Sequence, residues 1–309
     1  PGCPAVYDDS CPEAEAVILE TAEKKGSPAF PVGCVPFRLE GETLVFQWDY
    51  LGKTEEFTVG FPAPYQAENA ALAVTALSVS GLGIPAEAVR RGLRSARWPA
   101  RMERLLPGVY LDGAHNEDGI RAFLEAACLL KRERRPETTR LLFAVAADKE
   151  YGRMLEEIGR SLQPDECYLT AADTSRALSV DGLFQAARER MPETARIRCF
   201  ETTKKAFEAL LADRTGQDLS FIAGSLYLAG EIRTAAAAWM ASSSARALSM
   251  STRGKRFSPL VTAAVSARLP HWAAEFQVRQ PSQAPIWAKS FSQEAGMKGD
   301  RRMPQMRVA

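Results

Sequence analysis

The spacing of apolar residues divides the chain into two regions with different rhythms. In the first region, apolar positions at helical spacing predict helices over 12–25, 66–80 and 85–96. Alternating apolar and polar positions over 35–60 predict an antiparallel meander of short strands. From about residue 97 onward, short apolar runs alternate with amphipathic ones, so the two regions differ in architecture.

The second region has the order expected of a parallel sheet. Helix-like segments cover 117–133, 151–163, 180–192 and 202–214, and they alternate with the strand-like runs VYLD, RLLFAVA, ECYLTAA, RIRCFE and LSFIAGS. Such alternation predicts an α/β fold with a Rossmann-like, mostly parallel sheet and helices on both faces. Ligands of these sheets bind beyond the carboxyl ends of the strands. Asp112 stands at that end of its strand.

The charge of the chain is balanced overall but uneven along it. Its 309 residues include 39 Lys and Arg and 38 Asp and Glu, which is ordinary for a globular protein and does not indicate a nucleic-acid binder. Residues 236–309 carry eleven basic and three acidic side chains and, beyond residue 250, no sustained periodicity. This composition predicts a disordered basic tail. An arm that binds nucleic acid or a membrane surface is the alternative interpretation of that tail.

Cysteine usage and hydropathy indicate a cytoplasmic protein. None of the six cysteines forms a C-x-x-C pair, which favours reduced thiols. No apolar run approaches the ~20 residues of a membrane span, and no N-terminal segment has the pattern of a signal peptide. With only two histidines, a zinc centre or a Ser-His triad has little material, so we expect no metal site in this chain.

Three residues have side chains suited to a nucleotide, and each has a plainer alternative. Asn69 offers an amide that pairs with the N6/N7 edge of adenine, or that caps its helix. Arg101 is a planar, charged fork suited to phosphate oxygens, or a surface partner of Glu103. Asp112 presents two oxygens to the hydroxyl groups of a ribose, or forms an Asx turn that ends the strand.

Three further residues lie near the same predicted edge. His115 hydrogen-bonds a nucleotide or substrate, or it holds its own loop. Lys149 and Ser225 follow later strands and suit the carboxylates of an amino acid, by charge and by hydroxyl respectively. Asn116 is placed to cap the next helix.

Six motifs occur in a fixed order along the chain: YQAENAA (65–71), RWPARMER (97–104), DGAHN (112–116), ADKE (147–150), Asp173 with Arg176-Ala177, and GSLYLAG (224–230). Together they resemble the motifs of the Mur ligase superfamily, and most closely those of its folylpolyglutamate synthase/dihydrofolate synthase branch. The resemblance covers residues 1–235. Tyr65 stands where many members have His, and Ala100 where they usually have Gly.

The resemblance implies a domain organisation. Residues 1–96 are expected to be an incomplete α/β remnant of the ATP-binding central domain, residues 97–235 the C-terminal domain, and residues 236–309 the basic tail. The family's P-loop, its Mg²⁺ ligands and its carbamylated lysine are expected upstream of Pro1. Gly52-Lys53-Thr54 is no substitute, since it lacks the required Gly five residues earlier and lies in the meander. We therefore expect a monomeric fragment that is inactive alone.

The resemblance also implies an activity. The parent enzyme is expected to use ATP and Mg²⁺ to add L-glutamate to a folate or dihydropteroate carboxylate through an acyl phosphate. Asn69, Arg101 and Asp112 are expected to bind ATP, His115 and Lys149 to be catalytic, and Lys149 and Ser225 to bind glutamate. A muramyl-peptide or cyanophycin-type ligase is the alternative within the superfamily. A nucleotide-binding module without chemistry is the alternative outside it.

Overall fold

A computed structural model describes residues 2–251, with side chains described for residues 2–243. The chain divides into two units, residues 1–243 and residues 244–309. In chain order the elements are β1 (Ala5–Asp8), α1 (Pro12–Lys24), β2 (Ala29–Val32), β3 (Phe37–Glu40), β4 (Thr43–Tyr50), β5 (Lys53–Val59), α2 (Tyr65–Val79), α3 (Ala86–Ser95), β6 (Glu103–Leu106), β7 (Val109–Leu111), α4 (Glu117–Arg134), β8 (Thr139–Phe143), α5 (Tyr151–Ser161), β9 (Glu166–Leu169), α6 (Val180–Arg190), β10 (Arg196–Cys199), α7 (Thr203–Ala212), β11 (Leu219–Ala223) and α8 (Leu226–Ser251).

The largest sheet has six strands in the order β10-β9-β8-β11-β7-β6. Every neighbouring pair in it is parallel except β6 with β7, which is antiparallel. The predicted α/β fold with a mostly parallel sheet is confirmed. Strand β6 is absent from the sequence-based prediction, because its four residues, ERLL, carry too short and too charged a pattern to identify a strand.

Both faces of this sheet are buried at its central strands. All residues of β8 and β11 are buried, as is typical of strands in a parallel sheet. Leu141 and Phe143 of β8 pack in a core cluster with α4, α5 and α6, whereas Leu142, which points to the opposite face, is equally buried outside that cluster. Helix α7 packs against β8 and β9. The predicted helices of this region are present within a few residues of their expected bounds.

The first hundred residues build a second, smaller core. Strands β3, β4 and β5 form the predicted antiparallel meander, and α2 and α3 pack against β4 and β5. Buried residues of these elements form one cluster, which includes Phe46, Phe57 and Val74. Strands β1 and β2, which the apolar pattern did not reveal, form a separate parallel pair. The predicted domain bounds at 96 and 235 stay a prediction, and position 235 falls within α8.

The start of α2 joins the two cores. All buried residues of α2 belong to the smaller core. Ala63, just before the helix, and the half-buried Tyr65, its first residue, pack with the core of the parallel sheet. The predicted basic tail lies outside the described residues beyond residue 251. Within residues 2–251, none of the helices has both the length and the apolar character that a bilayer crossing requires.

Candidate active site at the carboxyl edge of the parallel sheet

Three loops meet where β7, β11 and β8 end, because these strands are neighbours and run parallel. The backbone N–H of Gly224, after β11, donates to the Ala114 carbonyl, after β7, at 2.8 Å. Gly224 has a φ of +110°, and a Cβ on it would lie 2.3 Å from the carbonyl oxygen of Ala144, after β8. Only glycine fits this contact, so the loops that carry the predicted site residues pack directly on one another.

The Asp112 carboxylate is the centre of a buried hydrogen-bond cluster. Its Oδ1 accepts from the backbone N–H of Ala114 at 2.8 Å. Its Oδ2 accepts from the backbone N–H of Met102 at 2.8 Å and from the Tyr65 hydroxyl at 3.4 Å. Burial raises the pKa of Asp112, against the opposing effects of the two backbone donors and the charge of Arg101.

This arrangement matches the Asx turn considered as the alternative for Asp112. The residue is only 4% exposed, and both of its oxygens already accept hydrogen bonds from the protein. In the described conformation the carboxylate organises the loop rather than facing an open cleft. Its role as a ribose ligand stays a prediction, which requires a sugar to reach the remaining lone pairs of a largely covered group.

Arg101 is held in place by its neighbours while its own side chain is unpaired. The flanking residues Ala100 and Met102 have φ values of +53° and +43°. The N–H of Gly113 donates to the Ala100 carbonyl at 2.8 Å, which fixes the turn on the loop after β7. Among residues 2–243, the half-buried Arg101 guanidinium makes no hydrogen bond or ion pair. The alternative pairing with Glu103 is therefore not formed.

Glu103 instead stabilises the turn at residues 100–102. Its Oε2 accepts from the Ala100 N–H at 2.8 Å, and the same carboxylate pairs with Arg233 of α8. This role was missed from sequence because Arg233 is 130 residues away in the chain.

Asn69 and Tyr65 lie on the same face of α2, since residues four apart are neighbours on a helix. Asn69 is exposed, and its only described hydrogen bond is from Nδ2 to Gln66 Oε1 at 3.3 Å. The residue at the N-cap position is Pro64, so the capping role considered for Asn69 is excluded. Its amide remains accessible to a ligand one turn beyond the Tyr65 hydroxyl.

His115 is fixed by its own loop. Its Nδ1 lies 2.9 Å from the Gly113 carbonyl oxygen, which can only accept, so Nδ1 carries the proton of the neutral ring. Nε2 is then the free acceptor. Asn116 accepts from the N–H of Gly119 at 2.8 Å and caps α4, which confirms that prediction. A catalytic role for His115 stays a prediction.

Ser225 and Lys149 differ in how far they are engaged. Ser225 is buried, and its Oγ accepts from the N–H of Tyr227 at 3.2 Å in a helix-capping geometry, leaving its hydroxyl proton to donate. Among residues 2–243, the half-buried Lys149 ammonium has no hydrogen-bond or ion-pair partner. The structure thus leaves one cation of this loop available for a ligand, and the predicted glutamate-binding roles of both residues stay predictions.

An ion pair that was not predicted from the sequence joins the loop after β8 to the loop after β9. Asp148 pairs with Arg176, and the Ala147 N–H donates to the Arg176 carbonyl at 2.8 Å. The hydrogen bond and charge of Arg176 lower the pKa of Asp148. Both residues lie in motifs noted in the sequence, but their contact depends on loop geometry that no local pattern specifies.

The described residues do not fit a metal centre. Among residues that the structure describes, no group of three His, Cys, Asp or Glu side chains is placed to hold a metal ion. The site at the carboxyl edge offers cationic and amide groups to a ligand.

Known proteins are similar to this chain in the region that contains these loops. Residues 100–226 match the family described as Mur ligase, glutamate ligase domain. The dihydrofolate synthase/folylpolyglutamate synthase of Bacillus subtilis (strain 168) is 29% identical over 248 residues, which are 75% of this chain and 54% of that protein. The folylpolyglutamate synthase of Lacticaseibacillus casei is 29% identical over 245 residues, with the same coverage. The chain thus spans about half the length of the curated relatives it matches.

A solved structure gives the same result. The Mycobacterium tuberculosis folylpolyglutamate synthase, complexed with ADP and AMPPCP, aligns with a TM-score of 0.65 at 26% identity, covering 75% of this chain and 55% of that one. The resemblance inferred from the motifs is confirmed: residues 100–226 match the Mur ligase glutamate ligase domain family, and the chain is similar to folylpolyglutamate and dihydrofolate synthases.

Proposed function

We propose that this chain is the glutamate-side part of an ATP-dependent folylpolyglutamate or dihydrofolate synthase. In the reaction, a folate or dihydropteroate carboxylate attacks the γ-phosphoryl group of ATP and forms an acyl phosphate and ADP. The amine of L-glutamate then attacks the activated carbonyl, and phosphate leaves as the amide bond forms. The names of the relatives and the nucleotides bound to the solved neighbour support this reaction class.

The observation that carries the proposal is the unpaired guanidinium of Arg101. A half-buried arginine without a partner among residues 2–243 is costly unless a ligand or water satisfies it. Its position beside the loop after β7 is where ligands bind in parallel sheets. We assign it to the phosphates of ATP, whose charge it stabilises during transfer.

The remaining predicted residues are assigned around Arg101. The exposed Asn69 amide reads the adenine edge, and Asp112 orders the loop and supplies its remaining lone pairs to the ribose. Lys149 and the Ser225 hydroxyl bind the carboxylates of L-glutamate, while His115 Nε2 accepts a hydrogen bond from the substrate or nucleotide. Mg²⁺, which neutralises phosphate charge in such transfers, belongs to the reaction but finds no ligand group among the described residues. We propose a cytoplasmic monomer.

Binding of AMPPCP to the 309-residue chain, measured by calorimetry, tests this assignment. Arg101→Ala is expected to weaken binding at least about tenfold, because a charge-assisted hydrogen bond contributes about 1.5–3 kcal/mol. Arg97→Ala is the matched control, since Arg97 lies in the same linker but bonds only backbone carbonyls of Arg94 and Ala96. Equal effects of the two substitutions, or no binding by the unmodified chain, would overturn the proposal.

A second measurement tests whether Asn69 recognises the adenine base. Asn69→Ala is expected to reduce the preference for AMPPCP over its guanine counterpart about tenfold, since one good amide–adenine pair discriminates by about 1–3 kcal/mol. An unchanged preference removes Asn69 from the site without affecting the role of Arg101.

A further inference from the structure

We propose that Tyr65 is a positioning residue whose hydroxyl, acting through Asp112, holds the turn that presents Arg101. The proposal rests on the proposed function in assigning a nucleotide to Arg101. The positioning itself rests on contacts within the chain.

Tyr65 connects α2 to the carboxyl edge of the parallel sheet. Tyr65 is the first residue of α2, and its ring packs against the core of that sheet. Its hydroxyl donates to Asp112 Oδ2 at 3.4 Å. Burial and the nearby Asp112 carboxylate raise the pKa of Tyr65, so the hydroxyl keeps the proton that it donates.

Asp112 is in turn hydrogen-bonded to the turn at residues 100–102. The same Oδ2 accepts from the N–H of Met102 at 2.8 Å. Met102 and Ala100 both have left-handed backbone conformations, which are strained for residues other than glycine. Such a turn persists only where surrounding contacts hold it, and the Met102–Asp112 hydrogen bond is one of them.

Arg101 lies between the two strained residues. Its guanidinium is next to the loop that follows Asp112, because Nη1 lies 3.5 Å from the position that a Cβ on Gly113 would take. With no hydrogen bond of its own among residues 2–243, its direction depends on the backbone turn. Loss of the Tyr65 hydroxyl removes one hydrogen bond from the Asp112 carboxylate and so weakens the hydrogen bond between Asp112 and the Met102 N–H. Arg101 then samples a wider range of positions.

This chain of contacts couples the two ends of a nucleotide through one helix. Asn69, one turn beyond Tyr65, faces the base, while Tyr65 sets the residue that faces the phosphates. The phenol of Tyr65 donates only through its single O–H and is not charged near neutral pH. The Tyr65 side chain is thus a fixed donor rather than a titrating one.

Tyr65→Phe in the full chain tests the proposal with two readouts. NMR hydrogen exchange of the Met102 amide is expected to become about three- to tenfold faster, and AMPPCP binding about three- to tenfold weaker, as for loss of one modest hydrogen bond. Tyr110→Phe is the matched control, because it removes another buried hydroxyl that donates to a carboxylate, Glu42 Oε1 at 2.8 Å, away from Arg101. It is expected to change neither readout.

The double variant separates positioning from general structural damage. In an Arg101→Ala background, Tyr65→Phe is expected to cause no further loss of AMPPCP binding, since its effect is transmitted through Arg101. Additive losses would overturn the proposal, as would unchanged Met102 exchange. Tighter nucleotide binding by Tyr65→Phe would also overturn it, by showing that the hydroxyl occupies the place of a ribose hydroxyl on Asp112. If the unmodified chain binds no AMPPCP while Met102 exchange responds as expected, the proposed function fails and the positioning role stands.

Discussion

Glu103 and Arg233 form an ion pair, with 3.1 Å between Oε2 and Nε, that joins the start of β6 to α8. The two side chains are 11% and 10% exposed, so solvent screens the pair little. Because Glu103 also accepts from the Ala100 N–H, the pair supports the turn that carries Arg101. Two chain segments that are 130 residues apart thus stabilise the turn at residues 100–102.

Glu103→Ala is expected to lower the free energy of unfolding by about 3 kcal/mol. It removes a carboxylate from beside a largely buried guanidinium and leaves the Ala100 donor without its acceptor. Urea denaturation monitored by circular dichroism measures the change. Glu189→Ala, which removes a solvent-exposed partner of Arg190, is the control and should cost below about 1 kcal/mol. Similar losses in both variants would contradict the role given to Glu103.

The opposite edge of the sheet should affect stability without affecting nucleotide binding. Arg140, near the start of β8, pairs with Glu166 at 2.7 Å and also with Asp218, and all three are buried. Arg140→Leu is expected to cost about 3–5 kcal/mol, since it leaves two carboxylates in a buried setting. AMPPCP affinity at a temperature where the variant is folded should stay within about twofold of the unmodified chain. A large loss of affinity would show that the two edges are coupled.

Gly224 should tolerate no side chain. A Cβ there would lie 2.3 Å from the Ala144 carbonyl oxygen, and the φ of +110° is strained for alanine. Gly224→Ala is expected to destabilise the protein by more than about 2 kcal/mol, measured as a shift of the urea midpoint. Gly216→Ala is the matched control, because a Cβ at Gly216 meets no atom within 4 Å. A stable Gly224→Ala variant would show that the loops can separate.

Asp112 should make stability depend on pH in a defined direction. Its pKa is raised in the folded protein, chiefly by burial, above the value of about 3.9 expected when unfolded. Between those two values the folded state binds more protons, so the contribution of Asp112 is present below about pH 4 and is lost as pH rises through the folded pKa. Unfolding free energies of the unmodified protein and of Asp112→Asn, measured from pH 3 to 8, should therefore diverge with this sign. Parallel curves would contradict it.

Periodic patterns along the chain determined most of the architecture. Continuous apolar runs such as RLLFAVA and LSFIAGS are buried on both faces and so identify parallel strands. The local motif at Asn116 was enough to predict its cap, since the donor lies three residues away. Strands β1, β2 and β6 were not identified. Strand β2 contains a proline and β6 begins with two charged residues, and neither feature is typical of a strand interior.

The site residues show where local patterns stop being informative. Residue types alone left Asp112 either a ribose ligand or an Asx turn, and tertiary contacts with Tyr65 and Met102 engage its carboxylate. Ser225, predicted to bind a carboxylate, also accepts a local hydrogen bond as a helix cap. Asn69 was free to cap or to bind, and the position of α2 excluded the cap. A carboxylate or hydroxyl is defined chemically by its sequence, but its free lone pairs depend on which donors the fold brings within about 3 Å.

The sequence by itself therefore determined the elements, their alternation and the family resemblance, since these depend on neighbours in the chain. Only the tertiary structure decided that Arg101 has no partner among residues 2–243, that Glu103 pairs with Arg233, and that Tyr65 donates to Asp112. Each of these depends on groups far apart in sequence that meet only after burial of the two cores. Hydrogen bonds and ion pairs act over a few ångströms, so their partners follow from the folded arrangement and not from spacing along the chain.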